Sequence, residues 1–224
     1  MNKLMKSITL IGKKVLSTVL LSLCVTTGFG QHIFNVDPVQ AAEIAAFMKQ
    51  PSAVEGKCNA EVLGIVTTAS EFSWDDINTW KNADGKVWAD GATADYAPTV
   101  FGFGFKKNAP YNGGASWICL ITNKDDDKWN PAIPGVADLK GNFILSNCNA
   151  TTVKIANSQI NTIKICMNNP TEDCYISTKR NSNLEQLDIS GSTGKLRQIE
   201  AYKNKFRDET SLVANNLGEK VLID

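Results

Sequence analysis

The chain has one histidine in 224 residues, His32, and it lies near the N-terminus. Its scarcity excludes most histidine-dependent nucleophile triads, zinc sites and proton relays from the rest of the sequence. Six cysteines occur, but none with Cys-x-x-Cys or Cys-x-His spacing, so thiol redox and metal motifs are also excluded. An excess of either charge is missing, because Lys+Arg and Asp+Glu number 23 each. No uncharged run is long enough to span a bilayer comfortably. Tryptophan is missing beyond residue 129, and all five lie between Trp74 and Trp129. With 43% hydrophobic and 21% charged residues, the composition is that of one or two ordinary folded domains rather than a disordered chain.

What is present begins with an address. Lys13-Lys14 precede the uncharged run Val15–Val25, and small residues at Gly28 and Gly30 suit cleavage before Gln31. Residues 1–30 are therefore read as a secretory signal peptide. Cys24 follows Leu21-Ser22-Leu23, which matches a lipoprotein box only loosely. Removing residues 1–30 takes away four lysines and leaves 19 basic against 23 acidic side chains, a net of −4. An acidic body has no broad attraction for phosphate backbones, so nucleic acid is not an expected partner. Five cysteines remain, Cys58, Cys119, Cys148, Cys166 and Cys174. They are read as small buried apolar residues rather than a disulfide framework, although Cys166 and Cys174 could bridge.

Asp37-Pro38 reads as a helix N-cap and first residue, with Gln40 in the capping-box place. Ala41, Ile44, Ala45 and Met48 form an apolar stripe, Phe47 widens it, and Pro51 ends it. Ser73-Trp74-Asp75-Asp76 reads as a second, shorter helix start toward Trp80. Val100–Phe105 and Trp117–Ile121 read as strands, with Asn112-Gly113-Gly114 as a turn between them.

Beyond residue 136 the pattern repeats. The template is L-x-x-L-x-L-x-x-N with any aliphatic at L. Ile160, Ile163, Ile165 and Asn168 fit it, as do Leu196, Ile199, Ala201 and Asn204. Ala150, Val153 and Ile155 match with Ser158 in the asparagine place; Leu184, Leu187 and Ile189 match with Ser192 there. Phe143 and Leu145, with Cys148, open the series. An insertion over 169–183 lengthens the third step. Alternate residues of a strand share a face, so Val153, Ile155, Ile163, Ile165, Leu187, Ile189, Leu196 and Ile199 are the expected repeat core. Asn168 and Asn204 are expected to satisfy backbone groups in the turns.

These residues carry a resemblance. Leu139–Ile165, LKGNFILSNCNATTVKIANSQINTIKI, resembles the opening coils of secreted leucine-rich-repeat proteins from anaerobic gut and oral bacteria, whose repeats read approximately LxGxLDLSxCxxLTxLDCSxNxLTxLDVS. Leu184–Phe206, LEQLDISGSTGKLRQIEAYKNKF, is similar to a later pair of half-repeats. Ala42–Ile65 resembles the helical segment before the repeats, and Asp208–Leu217 the short helix after them. The resemblance implies an α+β repeat protein, a short irregular solenoid capped by an aromatic-rich N-terminal region. Its parts would be a signal peptide (1–30), a helical and aromatic-rich capping region (31–135), leucine-rich repeats (136–206) and a C-terminal cap helix and tail (207–224). It also implies an exported, non-catalytic protein, secreted, periplasmic or on the cell surface, that binds a protein or peptide ligand. The expected concave face is Thr152, Lys154, Thr162, Lys164, Gln186, Asp188, Gln198 and Glu200.

Two rival functions compete with that reading. A carbohydrate-binding module would use N-terminal aromatics such as Trp88, Tyr96, Tyr111 and Trp129. An enzyme would need carboxylates from distant parts of a cleft, whereas Asp75/Asp76 and Asp125–Asp127 are adjacent in hydrophilic loops. The acidic run also lacks the glycine and distal glutamate of a calcium loop. No catalytic residue, cofactor or metal ligand is expected, and no transmembrane span in the mature chain.

Overall fold

The structure, a computed structural model, describes residues 37–85, 102–105, 115–122, 133–148, 150–168, 173–214 and 220–223. Helix α1, Pro38–Lys49, starts where its residues dictate. The Asp37 carboxylate accepts the Gln40 N–H at 3.0 Å, and Pro38 fills the first position, where no N–H is needed. The Gln40 side-chain amide donates to the Asn147 carbonyl at 2.9 Å. Ile44, Ala45, Phe47 and Met48 are buried, and the helix stops at Gln50, in extended backbone before Pro51. A one-turn helix α2 follows at Asn59–Val62. The helix expected after Ser73 is a single 3-10 turn, Ile77–Thr79, with Asp76 accepting the Asn78 N–H.

Ten strands are found among the described residues: β1 Phe103–Phe105, β2 Ala115–Leu120, β3 Lys140–Cys148, β4 Thr152–Ala156, β5 Gln159–Met167, β6 Cys174–Lys179, β7 Gln186–Asp188, β8 Leu196–Tyr202, β9 Leu212–Val213 and β10 Lys220–Ile223. They form a six-stranded sheet, β1-β2-β4-β6-β8-β10, and a four-stranded sheet, β3-β5-β7-β9. Only β1 and β2 pair antiparallel; the other pairings are parallel. The architecture is α+β, with two parallel sheets and few helices, and from β3 onward the chain visits the two sheets in turn.

Register fixes the interior. Val153, Ile176 and Ile199 stand side by side on β4, β6 and β8, 23 residues apart at each step. Phe143, Ile163, Leu187 and Leu212 are aligned on β3, β5, β7 and β9. All eight expected core residues, Val153, Ile155, Ile163, Ile165, Leu187, Ile189, Leu196 and Ile199, belong to one buried apolar cluster. Each contributes about 1.5–3 kcal/mol relative to an exposed side chain.

Two expectations are corrected. The 169–183 stretch is not an interruption, because β6 lies within it and pairs with both β4 and β8. Threonine at the buried position Thr178 hides it from an aliphatic template. In place of the cap helix expected over Asp208–Leu217, the described residues form a 3-10 turn, Glu209–Ser211, leading into β9.

The turns after the six-stranded sheet are held by a side-chain ladder. Asn204 Oδ1 accepts the Asn181 N–H and side-chain amide, both at 3.1 Å. Asn181 Oδ1 in turn accepts the Ser158 N–H at 3.1 Å and the Ser158 hydroxyl at 2.8 Å. The amides also donate inward, Asn181 to the Ile155 carbonyl and Asn204 to the Thr178 carbonyl. Ser158, in the asparagine place, is therefore a rung of the same ladder. Just before each rung the chain adopts positive φ at Asn157, Arg180 and Lys203.

The open edge of β3 is sealed by amides from α1, α2 and their connection. Asn59 accepts the Lys140 N–H and donates to the Lys140 carbonyl; Gln50 does the same for Asn142, at 2.8 and 2.9 Å. Glu43 accepts the Ser146 N–H. Polar side chains here stand in for a missing strand and blunt an edge that would otherwise template pairing. Between them, Gly141 has φ +96, and a Cβ there would run into the Gln50 amide oxygen.

Candidate functional site

The expected row of eight contact residues is divided by the topology. Thr152 and Lys154 on β4, with Gln198 and Glu200 on β8, lie on the six-stranded sheet; Thr162 and Lys164 on β5, with Gln186 and Asp188 on β7, lie on the four-stranded one. A template with the same alternation in every strand does not say which sheet a strand joins. Strand β6 stands between β4 and β8 and adds Tyr175, Ser177 and Lys179, which the sequence reading missed, while β8 adds Tyr202.

On the six-stranded sheet these side chains converge on Glu200. Its Oε2 accepts the Tyr175 hydroxyl at 2.8 Å and the Ser177 hydroxyl at 3.3 Å, and pairs with Lys179 Nζ at 2.7 Å. Its Oε1 accepts the Gln198 amide at 2.7 Å. The lysine and glutamate side chains are only 17% and 15% exposed, so the pair is screened less than a surface ion pair. Two cations lie over aromatic faces, Lys154 over Tyr175 at 5.6 Å and Lys179 over Tyr202 at 5.0 Å. Burial works to raise the Glu200 pKa, but the Lys179 ammonium and the Tyr175 hydroxyl outweigh it and hold the carboxyl below its usual range. Burial, reinforced by Glu200, pushes the Tyr175 phenol up to about 12. Burial works to lower the Lys179 pKa, yet hydrogen bonds to Glu200 and Tyr202 leave it raised.

The four-stranded sheet is simpler. Lys164 Nζ meets Asp188 Oδ2 at 3.1 Å, and Asp188 Oδ1 accepts the Ser190 N–H and hydroxyl at 3.0 and 2.7 Å. The Ser190 hydroxyl leads in lowering the Asp188 pKa. Ile144, aligned with Lys164, is 43% exposed. In its turns Asn168 Oδ1 accepts the Thr193 N–H and hydroxyl near the surface. The buried rung is Ser192, which accepts the Met167 N–H at 2.9 Å and donates to the Ile165 carbonyl.

Of the aromatic residues considered for sugar binding, Trp88, Tyr96, Tyr111 and Trp129 lie outside the described residues. Trp80 is fully buried and donates from its indole to the Ser73 carbonyl at 2.8 Å; Trp74 packs edge-on to Phe72 beneath Lys49. Asp76 serves its 3-10 turn, and Asp125–Asp127 also lie outside the described residues. All five described cysteines are thiols rather than disulfides, and burial pushes Cys148 up to about 12. Among the described residues no three or more His, Cys, Asp or Glu side chains are grouped to hold a metal ion. No helix among them is long and apolar enough to cross a membrane.

Comparisons with protein-family models, curated proteins and solved structures found no match to this chain.

Proposed function

We propose that the chain is a short, irregular leucine-rich-repeat solenoid, exported through its N-terminal signal, that works by binding a protein or peptide without catalysis. The observation that carries this reading is the alignment of inward aliphatics at 23-residue intervals, with an asparagine or serine rung five residues after each of Val153, Ile176 and Ile199. Such stacking leaves a strand face outward on every pass, and repeat proteins recognise partners with surfaces of that kind. Each sheet has its own candidate face, so the two lysines test them separately. Lys154→Glu perturbs the six-stranded face and Lys164→Glu the four-stranded one. The experiment is capture of proteins from the natural milieu on the immobilised mature chain. Loss of a captured protein with one reversal names the sheet, and undiminished capture with both removes both faces. Mass measurement of the chain from the growth medium tests export: the expected product begins at Gln31, and an intact N-terminus rejects the signal.

A carbohydrate ligand is the second reading. The observation favouring it is a half-exposed polar face bearing two tyrosines, Tyr175 and Tyr202, rather than the tryptophan-rich segment.

A further inference from the structure

We infer that the outer face of the four-stranded sheet is a contact between two copies of this chain, packed face to face about a two-fold axis that runs along the strands between β5 and β7. The inference goes beyond the binding reading above and does not draw on it.

The two outer faces differ in what they leave open. On the six-stranded sheet Cys119, Ile121, Ala156 and Ser177 are each at most 4% exposed, and Lys179, Tyr175 and Ser177 are already engaged with Glu200. On the four-stranded sheet Asn142, Ile144, Ser146, Lys164 and Gln186 are all exposed. Ile144 is one of two exposed large apolar side chains among the described residues.

Parallel register sets Ile144, Lys164, Asp188 and Val213 side by side on β3, β5, β7 and β9, about 4.8 Å apart. The row reads apolar, positive, negative, apolar. A half-turn about the strand direction, midway between β5 and β7, reverses that order. Ile144 then faces Val213 of the second copy, and Lys164 faces its Asp188. In the next row Thr162 lies beside Gln186, so the same rotation sets a hydroxyl against an amide. A closed two-fold contact needs a surface that is its own complement, and sheets pack face to face with their strands nearly aligned. An unrelated partner has no reason to present this order reversed, whereas a second copy does so by symmetry.

The charges are free to take part. Lys164 is 48% exposed and has three donors, of which Asp188 Oδ2 takes one at 3.1 Å. The Ser190 bonds fall on Asp188 Oδ1, which leaves Oδ2 able to accept a second ammonium. Two copies close a ring of alternating charges, flanked on both sides by a contact between Ile144 and Val213. The face is only four strands wide, so the contact falls at the low end for specific interfaces and the dimer is weak and reversible.

Sedimentation equilibrium of the mature chain tests this. The expected result is a monomer–dimer equilibrium with a Kd on the order of 100 µM. Lys164→Asp makes the centre of the dimer wholly negative and Asp188→Lys makes it wholly positive, so each alone should weaken self-association by at least about tenfold. Mixed in equal amounts, the two variants should associate with each other about as well as wild type, because every negative side chain then faces a positive one. Ile144→Ser, at an exposed position, should weaken the dimer about threefold or more, and Lys154→Gln on the other sheet should leave it unchanged. Thermal melts establish that each variant is folded; if a charge variant is not, Ile144→Ser decides, and undiminished association there overturns the inference. A wild-type chain that stays monomeric up to about 1 mM overturns it too. So does self-association undiminished in both charge variants, which places the contact elsewhere, or a mixture that associates no better than its components.

Discussion

The turns that follow the two sheets solve one problem with different chemistry. Each tight turn buries backbone donors and acceptors that need partners. After the six-stranded sheet the partners are asparagine amides stacked on one another, Asn181 fully buried between Ser158 and Asn204. After the four-stranded sheet a serine hydroxyl, Ser192, holds the buried rung while Asn168 serves the surface. An amide donates and accepts at once and so passes the interaction along the stack. A hydroxyl closes its own turn and passes less. Cooperativity should therefore be greater along the asparagine side.

Asn181→Ala tests this most severely. It strips the partner from the Ser158 N–H and hydroxyl and from the Ile155 carbonyl, and leaves Asn204 Oδ1 with one donor of two. A loss of about 3 kcal/mol in urea unfolding is expected, since each buried group left unsatisfied costs about 1–3 kcal/mol. Asn59→Ala applies the same logic to the sealed edge of β3, removing a buried amide that serves Lys140 on both its N–H and its carbonyl. About 2 kcal/mol is expected, with concentration-dependent association by light scattering if the bared edge pairs. Ser192→Ala should cost less, about 1–2 kcal/mol, because only the Met167 N–H and the Ile165 carbonyl lose a partner. A Ser192→Ala loss equal to that of Asn181→Ala would remove the distinction between the two turns.

The outer faces differ as the turns do, and pH separates them. Glu200 is held below its ordinary pKa in the folded protein, so its contribution is present above the unfolded value and is lost as pH falls through the folded one. Tyr175 acts at the other limit. Its folded pKa is raised to about 12, so its contribution is present below the unfolded value and is lost as pH rises toward 12. Thermal melts across pH should show wild type losing stability at both limits. Glu200→Gln should be about 1–2 kcal/mol less stable near neutrality and should flatten the acid limb, though not completely, because Asp188 on the other sheet is also held low.

Much of this was legible in the sequence, for a physical reason. Inward aliphatics alternate with outward polar residues, and the rung follows the second aliphatic by five residues at Val153–Ser158, Ile163–Asn168, Leu187–Ser192 and Ile199–Asn204. Strand β6 was illegible because Thr178 occupies an aliphatic place, where the bulk of its side chain fits the interior and Asn204 reaches its carbonyl. The division into two sheets was illegible because both follow the same alternation, and only the register across strands distinguishes them. For that reason Lys154 and Lys164, expected in one row, lie on different faces, and Tyr175 on the strand between Lys154 and Glu200 went unnoticed.

The smallest effect concerns the residue before each rung. Asn157, Arg180 and Lys203 all take positive φ, between 54 and 58, where a side chain is strained by about 1–2 kcal/mol and asparagine is tolerated best. Lys203 is exposed, so its replacement sacrifices little packing. Lys203→Gly relieves the strain but also frees the unfolded chain, which offsets part of the gain. A net stabilisation of about 0.5 kcal/mol is expected in urea unfolding, and Lys203→Asn should gain nearly as much without the entropic offset. The same substitutions at Arg180 should yield less, because its guanidinium donates to Asn157 at 3.2 Å and that bond is lost. If Lys203→Gly destabilises instead, the left-handed turn is held by the lysine side chain rather than strained by it, and the backbone account of this turn fails.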